Sequence, residues 1–407
     1  MRDRAQRVIA ECAQIAAMSE EPGRITRRFL TRPVREVHAH LRARMEALGM
    51  TVRVDAAGNL RAHWRPPGAG GKRLLTGSHI DTVPNAGAYD GVLGVVMALE
   101  CVEIAQEMKL PLAIEVIAFS EEEGVRFGIP FIGSRAVSGC FDTELLNSKD
   151  PNGITLEGAI RDFGLDASRI DEAALDDGVA GFVEFHIEQG PVLEADGLSV
   201  AAVTEIVGQT RLSLEFVGRA NHAGTTPMSL RYDALAAAAE WITGVELIAR
   251  STDGLVATVG KVAVEPNAGN VIPGNVKISL DVRHGHDPTR KAVLKKMLEN
   301  ADEIVERRGL SVQQQLQLDQ PAVPMDERLT SFIADAIEAA GFPVKHMPSG
   351  AGHDAMVIAA RVPTAMLFLR SPGGISHHPS ETVRNQDVEA ALKVSRKFLQ
   401  RLSGELG

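Results

Sequence analysis

The sequence predicts an α/β protein, in which a mixed β-sheet is flanked by helices and a smaller ferredoxin-like unit is inserted. Apolar runs typical of strands alternate with helical stretches, which is the pattern of a sheet covered by helices. Residues of metal-ligand type stand mostly at the ends of these runs. At 407 residues the chain exceeds what one core usually covers, so more than one domain is expected.

The elements of the larger domain lie on both sides of the insertion. The predicted strands are LLTGSH (74–79), AIEVIAF (113–119), FVEFHIE (182–188) and AMLFLR (365–370). The predicted helices cover 91–108, 352–360 and 386–403. Nearer the N-terminus, arginines alternate with apolar residues over 25–45, which predicts mostly an amphipathic helix with a solvated basic face.

The order of elements changes between about 209 and 324. The segment predicts strand, helix, two strands, helix and strand at 210–217, 231–249, 255–264, 276–283, 287–308 and 310–317. A β-α-β-β-α-β order indicates a ferredoxin-like unit. We therefore predict that the larger domain consists of 1–208 and 325–407, with the insertion at 209–324.

A histidine and an aspartate near the first of these strands have the surroundings of metal ligands. His79 ends the run LLTGSH, and Asp81 could hold the second nitrogen of its ring. Asp90 lies on a glycine-rich turn before the helix that starts at Gly91. Its two carboxylate oxygens could bridge two cations.

Three consecutive acids follow the strand AIEVIAF. Glu121, Glu122 and Glu123 repel one another, and nearby cations would relieve that repulsion. Hydrolysis at a metal site also needs a general base, so Glu122 and Glu123 can divide the roles of base and ligand. A solvated acidic loop is the alternative interpretation of such a run.

Two further histidine segments complete the candidate set. His186 lies in a strand of alternating apolar residues and shares its polar face with Glu184, where a hydrogen-bonded structural histidine is the alternative. The segment GGISHHPSE places His377 and His378 on a turn marked by glycine and proline. Residue type does not choose between these two histidines.

Together these motifs resemble, over nearly the whole chain, the dinuclear-metal amidohydrolases of the M20 peptidase superfamily, in the hydantoinase/carbamoylase branch. The motifs that match, in that branch's chain order, are GSHIDTVPNAGAYDG, EEEGVRFG, HIEQGPVLE, NHAGTTPM, NAGNVIPG, SGAGHDAM and GGISHHPSE. The resemblance implies a zinc-exopeptidase-like catalytic domain with an inserted domain that dimerises and closes over the site. The N-terminal region and IVGQTRL look most like allantoate amidohydrolases.

The resemblance also implies roles for single residues of the centre. The positions that match the family's metal ligands are His79, Asp90, Glu123, His186 and His377. Asp90 matches the bridging ligand, Glu122 matches the general base, and His377 is selected because the family's ligand directly follows a serine. Two divalent cations per subunit are implied, manganese by family usage, while zinc, cobalt and nickel also suit these ligands.

The remaining positions match groups that hold the substrate. His222 of NHAGTTPM matches a residue that polarises the scissile carbonyl from across a dimer contact. The residues that match the carboxylate-binding and ureido-binding groups are Arg211, Asn270 and Arg283, with Gln189 close to them. An arginine fork pairs well with a planar carboxylate. Judged by residue type alone, the two arginines could be surface residues, Asn270 could be a turn former, and His222 could be a loop histidine.

The expected reaction is hydrolysis of a ureido C–N bond in a small carboxylate, with allantoate favoured and with ammonia and carbon dioxide released. N-carbamoyl-L-amino acid hydrolysis or a beta-ureidopropionase activity is the nearest alternative, and a dipeptidase or aminoacylase follows. A non-catalytic metal-binding scaffold would need a broken ligand set or a missing base. The family also implies a homodimer formed through the inserted domain.

Composition limits the partners and the compartment. A net charge of −10 and a pI near 5.7 argue against a nucleic-acid surface. The cysteines Cys12, Cys101 and Cys140 are widely spaced, which predicts a reducing compartment without a disulfide framework. The N-terminus lacks an apolar leader and the longest apolar stretch is interrupted at Glu100, so we expect no membrane association and a cytoplasmic location.

Overall fold

The computed structural model describes residues 1–406. The chain divides into two compact units, and each is described by itself. The larger unit comprises Met1–Thr204 and the chain from Met325 onward, and the smaller unit is Glu205–Pro324.

The α-helices of the described residues are numbered in chain order. They are α1 (Arg2–Ala16), α2 (Arg32–Ala47), α3 (Val92–Glu107), α4 (Ile132–Ser138), α5 (Leu156–Asp162), α6 (Val192–Ala195), α7 (Ala234–Arg250), α8 (Asp287–Arg308), α9 (Glu327–Ala339), α10 (Asp354–Ile358) and α11 (Asn385–Leu406).

The strands are numbered in the same way. They are β1 (Thr51–Val54), β2 (Leu60–Trp64), β3 (Arg73–His79), β4 (Ala113–Phe119), β5 (Val179–Ile187), β6 (Val200–Ile206), β7 (Gly208–Val217), β8 (Asn221–His222), β9 (Val256–Thr258), β10 (Val262–Glu265), β11 (Val271–Ile272), β12 (Asn275–His284), β13 (Ser311–Gln320), β14 (Val323–Pro324), β15 (His346–Ser349) and β16 (Thr364–Leu369).

The larger unit is built on a mixed sheet, as the sequence predicts. Its strand order is β1-β2-β4-β3-β5-β16-β6, with β15 beside β6. The four central strands β4, β3, β5 and β16 run parallel, whereas β1, β2 and β6 pair antiparallel to their neighbours. The carboxyl ends of the parallel strands therefore meet at one edge, where open α/β sheets place their sites.

Burial explains why the central elements are so apolar. Every residue of β4 and β5 is buried, which is typical of strands covered on both faces. Helix α3 contacts β3 and β5 on one side and the helices α1 and α11 on the other. Its sequence VLGVVMALECVEIAQE is apolar almost all round because it has no wide solvent face.

The predicted basic helix over 25–45 is wrong in its first part. Helix α2 begins at Arg32, with Pro33 in its first turn, and residues 25–31 are irregular. Arg27 is fully buried rather than solvated, and its guanidinium donates to the carbonyls of Ile15, Met18 and Ile80. Part of the basic run is therefore structural.

The smaller unit has the β-α-β-β-α-β order expected of it. Its sheet runs β10-β12-β7-β13, antiparallel throughout, with β9 beside β12, so the single strand predicted at 255–264 is in fact two strands. Alternation along β7 turns Leu212, Leu214 and Phe216 toward α7 and α8, where Trp241 is buried. The other face of this sheet is polar and carries Arg211.

Within residues 1–406, no helix combines the length and the hydropathy needed to cross a bilayer.

Candidate metal centre

The predicted ligands all lie in the larger unit, near the carboxyl edge of its parallel strands. His79 is the last residue of β3, and His186 is the penultimate residue of β5. Glu123 follows β4 and Asp90 precedes α3. His377 lies in the loop between β16 and α11. The cluster is therefore built from the Asp90 turn and four other segments of the chain.

Asp90 lies at the middle of this cluster. Its Oδ1 is 3.6 Å from Nε2 of His79 and 3.3 Å from Nε2 of His186. Its Oδ2 is 3.1 Å from Nε2 of His377, and that nitrogen is 3.3 Å from Oε1 of Glu123. The two oxygens of one carboxylate thus face two different sets of partners.

These distances define two overlapping ligand sets. In each set the nitrogen and oxygen atoms lie within 4.8 Å of one another, and the sets are His79 with Asp90 and His186, and Asp90 with Glu123 and His377. A third grouping of the same kind joins His79 to Glu122 and Glu123. Three-residue sets of imidazole and carboxylate suit divalent transition metals.

Backbone contacts set the ring orientation of two histidines. Nδ1–H of His79 donates to the carbonyl of Asp81 at 3.0 Å, and Nδ1–H of His186 donates to the carbonyl of Ile187 at 2.9 Å. Each bond leaves Nε2 with a lone pair directed at the cluster. Nε2 of His186 is buried and has no hydrogen-bond partner among residues 1–406. A buried, unpartnered ring nitrogen beside a carboxylate fits a cation site.

Asp81 contacts the backbone of the predicted base and of one predicted ligand. Its carboxylate accepts from the backbone N–H of Glu122 at 2.9 Å and of Glu123 at 3.0 Å. The same carboxylate is 3.5 Å from Nδ1 of His79, whose closer partner is the Asp81 carbonyl. Asp81 therefore joins the end of β3 to the acidic segment after β4.

Gly91 allows the Asp90 turn to approach β3. Its φ is +68°, and a Cβ at this position would lie 2.5 Å from three atoms of the His79 ring. Glycine adopts this backbone conformation without steric cost and adds no side chain there. The turn can therefore place Asp90 against His79.

Charges in the cluster strongly favour bound cations. Burial alone would raise the pKa of Asp90, but contacts with His186, His377 and His79 lower it well below its usual range. Burial alone would lower the pKa of His79, but contacts with Asp81 and Asp90 raise it well above its usual value. Each of these rings faces an acid, and a metal ion between them would replace any ring proton.

Burial and neighbouring charges also shift the pKa values of His377 and Glu122. Contacts with Asp90 and Glu123 raise the pKa of His377 to about 10. Burial raises the pKa of Glu122 well above its usual range, the charge of His79 opposes this, and the charge of Glu123 adds to it. Glu122 stands beside the cluster, is buried, and belongs to neither of the two sets that share Asp90.

A buried polar layer lies behind His186. Glu184 accepts from the Ser78 hydroxyl at 2.7 Å and from the backbone N–H of Ala355 at 2.8 Å, so both of its oxygens have partners. The ring of His353 packs 4.4 Å from that of His186, between centroids, and its Nε2 is 2.8 Å from the Ser349 hydroxyl. Glu184, His186 and His353 also place nitrogen and oxygen atoms within 4.8 Å of one another, but the family motifs assign only His186 of these three as a ligand.

The structure places Gln189 beside Asp90. Its Nε2 donates to Oδ2 of Asp90 at 3.0 Å, and the Ser376 hydroxyl lies 3.1 Å from the same oxygen. Sequence reasoning grouped Gln189 with the substrate-binding residues and did not single out Ser376 or Glu381. The signal for these two was their position inside the motif GGISHHPSE, where Ser376 directly precedes His377 and Glu381 follows it by four residues.

In the smaller unit, His222 and Asn270 lie on paired short strands or next to them. His222 pairs with Val271, and the backbone N–H of Ala223 donates to the Asn270 carbonyl at 2.9 Å. Nδ1 of the exposed His222 ring accepts from the backbone N–H groups of Gly224 at 3.1 Å and Thr225 at 3.2 Å. An accepting Nδ1 leaves the proton on Nε2, so this ring can donate a hydrogen bond.

The two predicted substrate arginines share one acceptor. Asp281 lies directly opposite Arg211 in the β12–β7 register and accepts from its Nε at 2.9 Å. It also accepts from Nε of Arg283 at 2.9 Å and from Nε2 of Gln209 at 2.7 Å. Burial alone would raise the pKa of Asp281, but Arg283 and Arg211 lower it. One carboxylate therefore orients two guanidinium groups on the polar face.

Comparison with known proteins agrees with this site. Residues 75–401 match the model of peptidase family M20/M25/M40. Allantoate deiminase of Arabidopsis thaliana is 35% identical, across 96% of this chain and 81% of its own length. N-carbamoyl-L-amino acid amidohydrolase of Geobacillus stearothermophilus is 37% identical, across 96% of both chains. An amidase of the hydantoinase/carbamoylase family from Burkholderia multivorans has a TM-score of 0.92 at 30% identity, covering 98% of this chain and 97% of its own.

The family match covers most of the chain and includes the predicted ligands, so this protein belongs to peptidase family M20/M25/M40 and is one of its hydrolases.

Proposed function

We propose that the protein hydrolyses a ureido C–N bond of allantoate with the help of two divalent cations. The observation that carries this proposal is the pair of ligand sets that share Asp90, one through each carboxylate oxygen. The relatives named for allantoate and for N-carbamoyl-L-amino acids support it, because both substrates carry a ureido carbonyl.

In this proposal His79, Asp90 and His186 hold one cation, and Asp90, Glu123 and His377 hold the other. Bound cations would polarise the carbonyl and make a water molecule more acidic. Manganese is our proposed metal, and zinc, cobalt and nickel also suit these ligands. The ring orientations of His79 and His186 require no rearrangement to offer Nε2.

Glu122 is the proposed general base. Its carboxylate takes a proton from the attacking water as the water oxygen bonds to the ureido carbon, and returns the proton to the leaving nitrogen as the C–N bond breaks. Cleavage of this bond gives ammonia and a carbamate, and the carbamate then loses carbon dioxide to leave the amine, ureidoglycine. One water is consumed overall. Asp81 positions Glu122 for this transfer through the backbone N–H.

His222 is the proposed donor to the carbonyl oxygen. Its Nδ1 is occupied as an acceptor, so Nε2–H is available to stabilise negative charge on that oxygen. We assign residues 209–324 as an inserted domain that closes over the site and forms a homodimer, through which His222 serves the partner subunit. Residues 1–208 and 325–407 form the catalytic domain.

The polar sheet face of the smaller unit favours allantoate over an apolar carbamoyl amino acid. Arg211 and Arg283 are the proposed carboxylate ligands, with Asn270 and Gln189 completing the contacts to substrate. Asp281 offers an acceptor between the arginines, and a second ureido group has N–H donors to match it. An apolar amino-acid side chain has no such donors.

N-carbamoyl-L-amino acid hydrolysis is the second candidate, because the Geobacillus stearothermophilus enzyme with that name is 37% identical over nearly the full length. Ammonia release by manganese-loaded protein, given allantoate or a panel of N-carbamoyl-L-amino acids, distinguishes the two. We expect the higher kcat/KM with allantoate. A higher value with a carbamoyl amino acid would favour the second candidate, and no ammonia from any of these substrates would contradict ureido hydrolysis.

A further inference from the structure

A buried carboxylate that is not a candidate ligand lies beside Asp90. Glu381, five residues from Ser376, is only 5% exposed. Within residues 1–406 it forms no ion pair with lysine or arginine, although burying a carboxylate without a cation is costly. It is held instead by uncharged hydrogen-bond donors, and the positions of these donors indicate what the carboxylate does.

The donors to Glu381 come from the two turns that carry Asp90 and His377. Oε1 accepts from the backbone N–H of Tyr89 at 2.9 Å and of Asp90 at 3.0 Å. Oε2 accepts from the Ser376 hydroxyl at 3.0 Å. One carboxylate therefore fastens the backbone of the shared ligand to the turn that ends in His377.

The absence of a side chain at Gly87 leaves the space that Glu381 occupies. A Cβ at Gly87 would lie 2.3–2.4 Å from Cβ, Cδ and Oε1 of Glu381. Such overlap with the rigid part of the side chain excludes larger residues at position 87 in this arrangement. The close approach of Gly87 keeps the Asp90 turn against Glu381.

Ser376 links Glu381 to the ligand oxygen. Its hydroxyl is 3.0 Å from Oε2 of Glu381 and 3.1 Å from Oδ2 of Asp90. A hydroxyl has one proton, so it can donate to only one of these oxygens at a time. When the hydroxyl donates to Glu381, Oδ2 of Asp90 accepts from the Gln189 amide and keeps its other lone pair for a cation.

We infer that Glu381 is a positioning residue of the metal centre, which fixes the backbone of Asp90 and draws the Ser376 proton away from Oδ2. The inference rests on the cation-binding part of the proposed function and is independent of the choice of substrate. It assigns Glu381 no direct contact with metal or substrate. A residue that orients a metal ligand in this way typically changes metal affinity by about 10- to 100-fold when it is replaced.

The test is the Mn²⁺ affinity of metal-free Glu381→Gln, measured by competition with a chelating indicator. The amide retains one oxygen for the backbone donors, but its NH₂ group cannot accept the Ser376 proton. We expect affinity to fall at least about tenfold, with the melting temperature of the metal-free protein little changed. An affinity within about twofold of wild type would overturn the inference.

Glu115→Gln is the matched control. Glu115 is also 5% exposed, but its hydrogen-bond and ion-pair partners are Arg61 and Arg73 rather than any predicted ligand. We expect this variant to lower the melting temperature and leave Mn²⁺ affinity unchanged. An equal loss of affinity in both variants would mean that Glu381 acts only through general stability, and would contradict the inference.

Ser376→Ala supplies a second test that holds even when Glu381→Gln yields no folded protein. It removes the competing proton and leaves both backbone bonds to Glu381. Unchanged or tighter Mn²⁺ binding supports the inference. A loss of tenfold or more would show that the hydroxyl itself holds Asp90, and would overturn it. These affinities need no substrate, so a failure to release ammonia from ureido substrates would leave their interpretation intact.

Discussion

Gly91→Ala should weaken the metal centre while the protein remains folded. A Cβ at Gly91 would lie 2.5 Å from the His79 ring, and ordinary contact begins at 3.4 Å, so the ring or the Asp90 turn must shift by about 0.9 Å. Alanine at this positive φ, where ψ of −53° lies outside the left-handed helical region, adds about 1–3 kcal/mol of strain. In an active site, a displacement of about 1 Å can lower the reaction rate by about 10²-fold. We therefore expect Mn²⁺ affinity to fall by about one to two orders of magnitude.

Gly254→Ala is the control that separates the displacement of His79 or Asp90 from the backbone strain of alanine at a positive φ. Gly254 also has a positive φ, +70°, but the nearest atom to an added Cβ there is Nε2 of His284 at 3.5 Å. Both variants should lose about 1–3 kcal/mol of unfolding free energy in urea. Chelator competition should show weaker Mn²⁺ binding in Gly91→Ala alone. Wild-type affinity in Gly91→Ala, or the same loss in both variants, would refute the reasoning about His79.

Three further predictions concern stability, substrate binding and the dimer. Burial, with smaller contributions from Arg42 and Arg35, lowers the pKa of His38 to about 4; the neutral ring thus contributes stability above pH 6.5 that is lost toward pH 4. Between pH 7.5 and 5.5, urea unfolding should show a loss about 1.4 kcal/mol larger in wild type than in His38→Leu, and an equal slope in both would contradict it. Asp281→Asn should raise KM for allantoate about tenfold with a smaller change in kcat, because the substrate arginines lose their shared acceptor, whereas an unchanged KM would argue against that role. Mixing inactive His222→Ala and Glu122→Gln chains should restore about a quarter of wild-type ammonia release if His222 serves the partner subunit, and no recovery in verified heterodimers would reject that arrangement.

The sheet and the ligand positions were predictable because both leave local signals. Apolar runs that end in His79 or in the acids after Phe119 mark strands whose carboxyl ends meet. Parallel pairing then brings these ends to one edge, and the chain order of the motifs selects the residues. The start of α2 was missed, because the helix was predicted from residue 25 although Pro33 suits a first helical turn.

The supporting contacts were not predictable, because they join segments that are distant in sequence. The bonds from Tyr89 and Asp90 to Glu381 depend on how two turns pack, and no local pattern encodes them. The burial of Arg27 similarly depends on three carbonyls from separate parts of the chain. The pairing of Arg211 and Arg283 with Asp281 required the strand register.

The most direct test of the proposed function measures bound manganese and ammonia release together, for wild-type protein and Glu122→Gln. We predict two manganese ions per subunit in both proteins, and a loss of about 10²–10⁴-fold in allantoate turnover in the variant. Loss of manganese from Glu122→Gln would make Glu122 a ligand rather than the base. Turnover near the wild-type rate with both metals bound would contradict its role as the base.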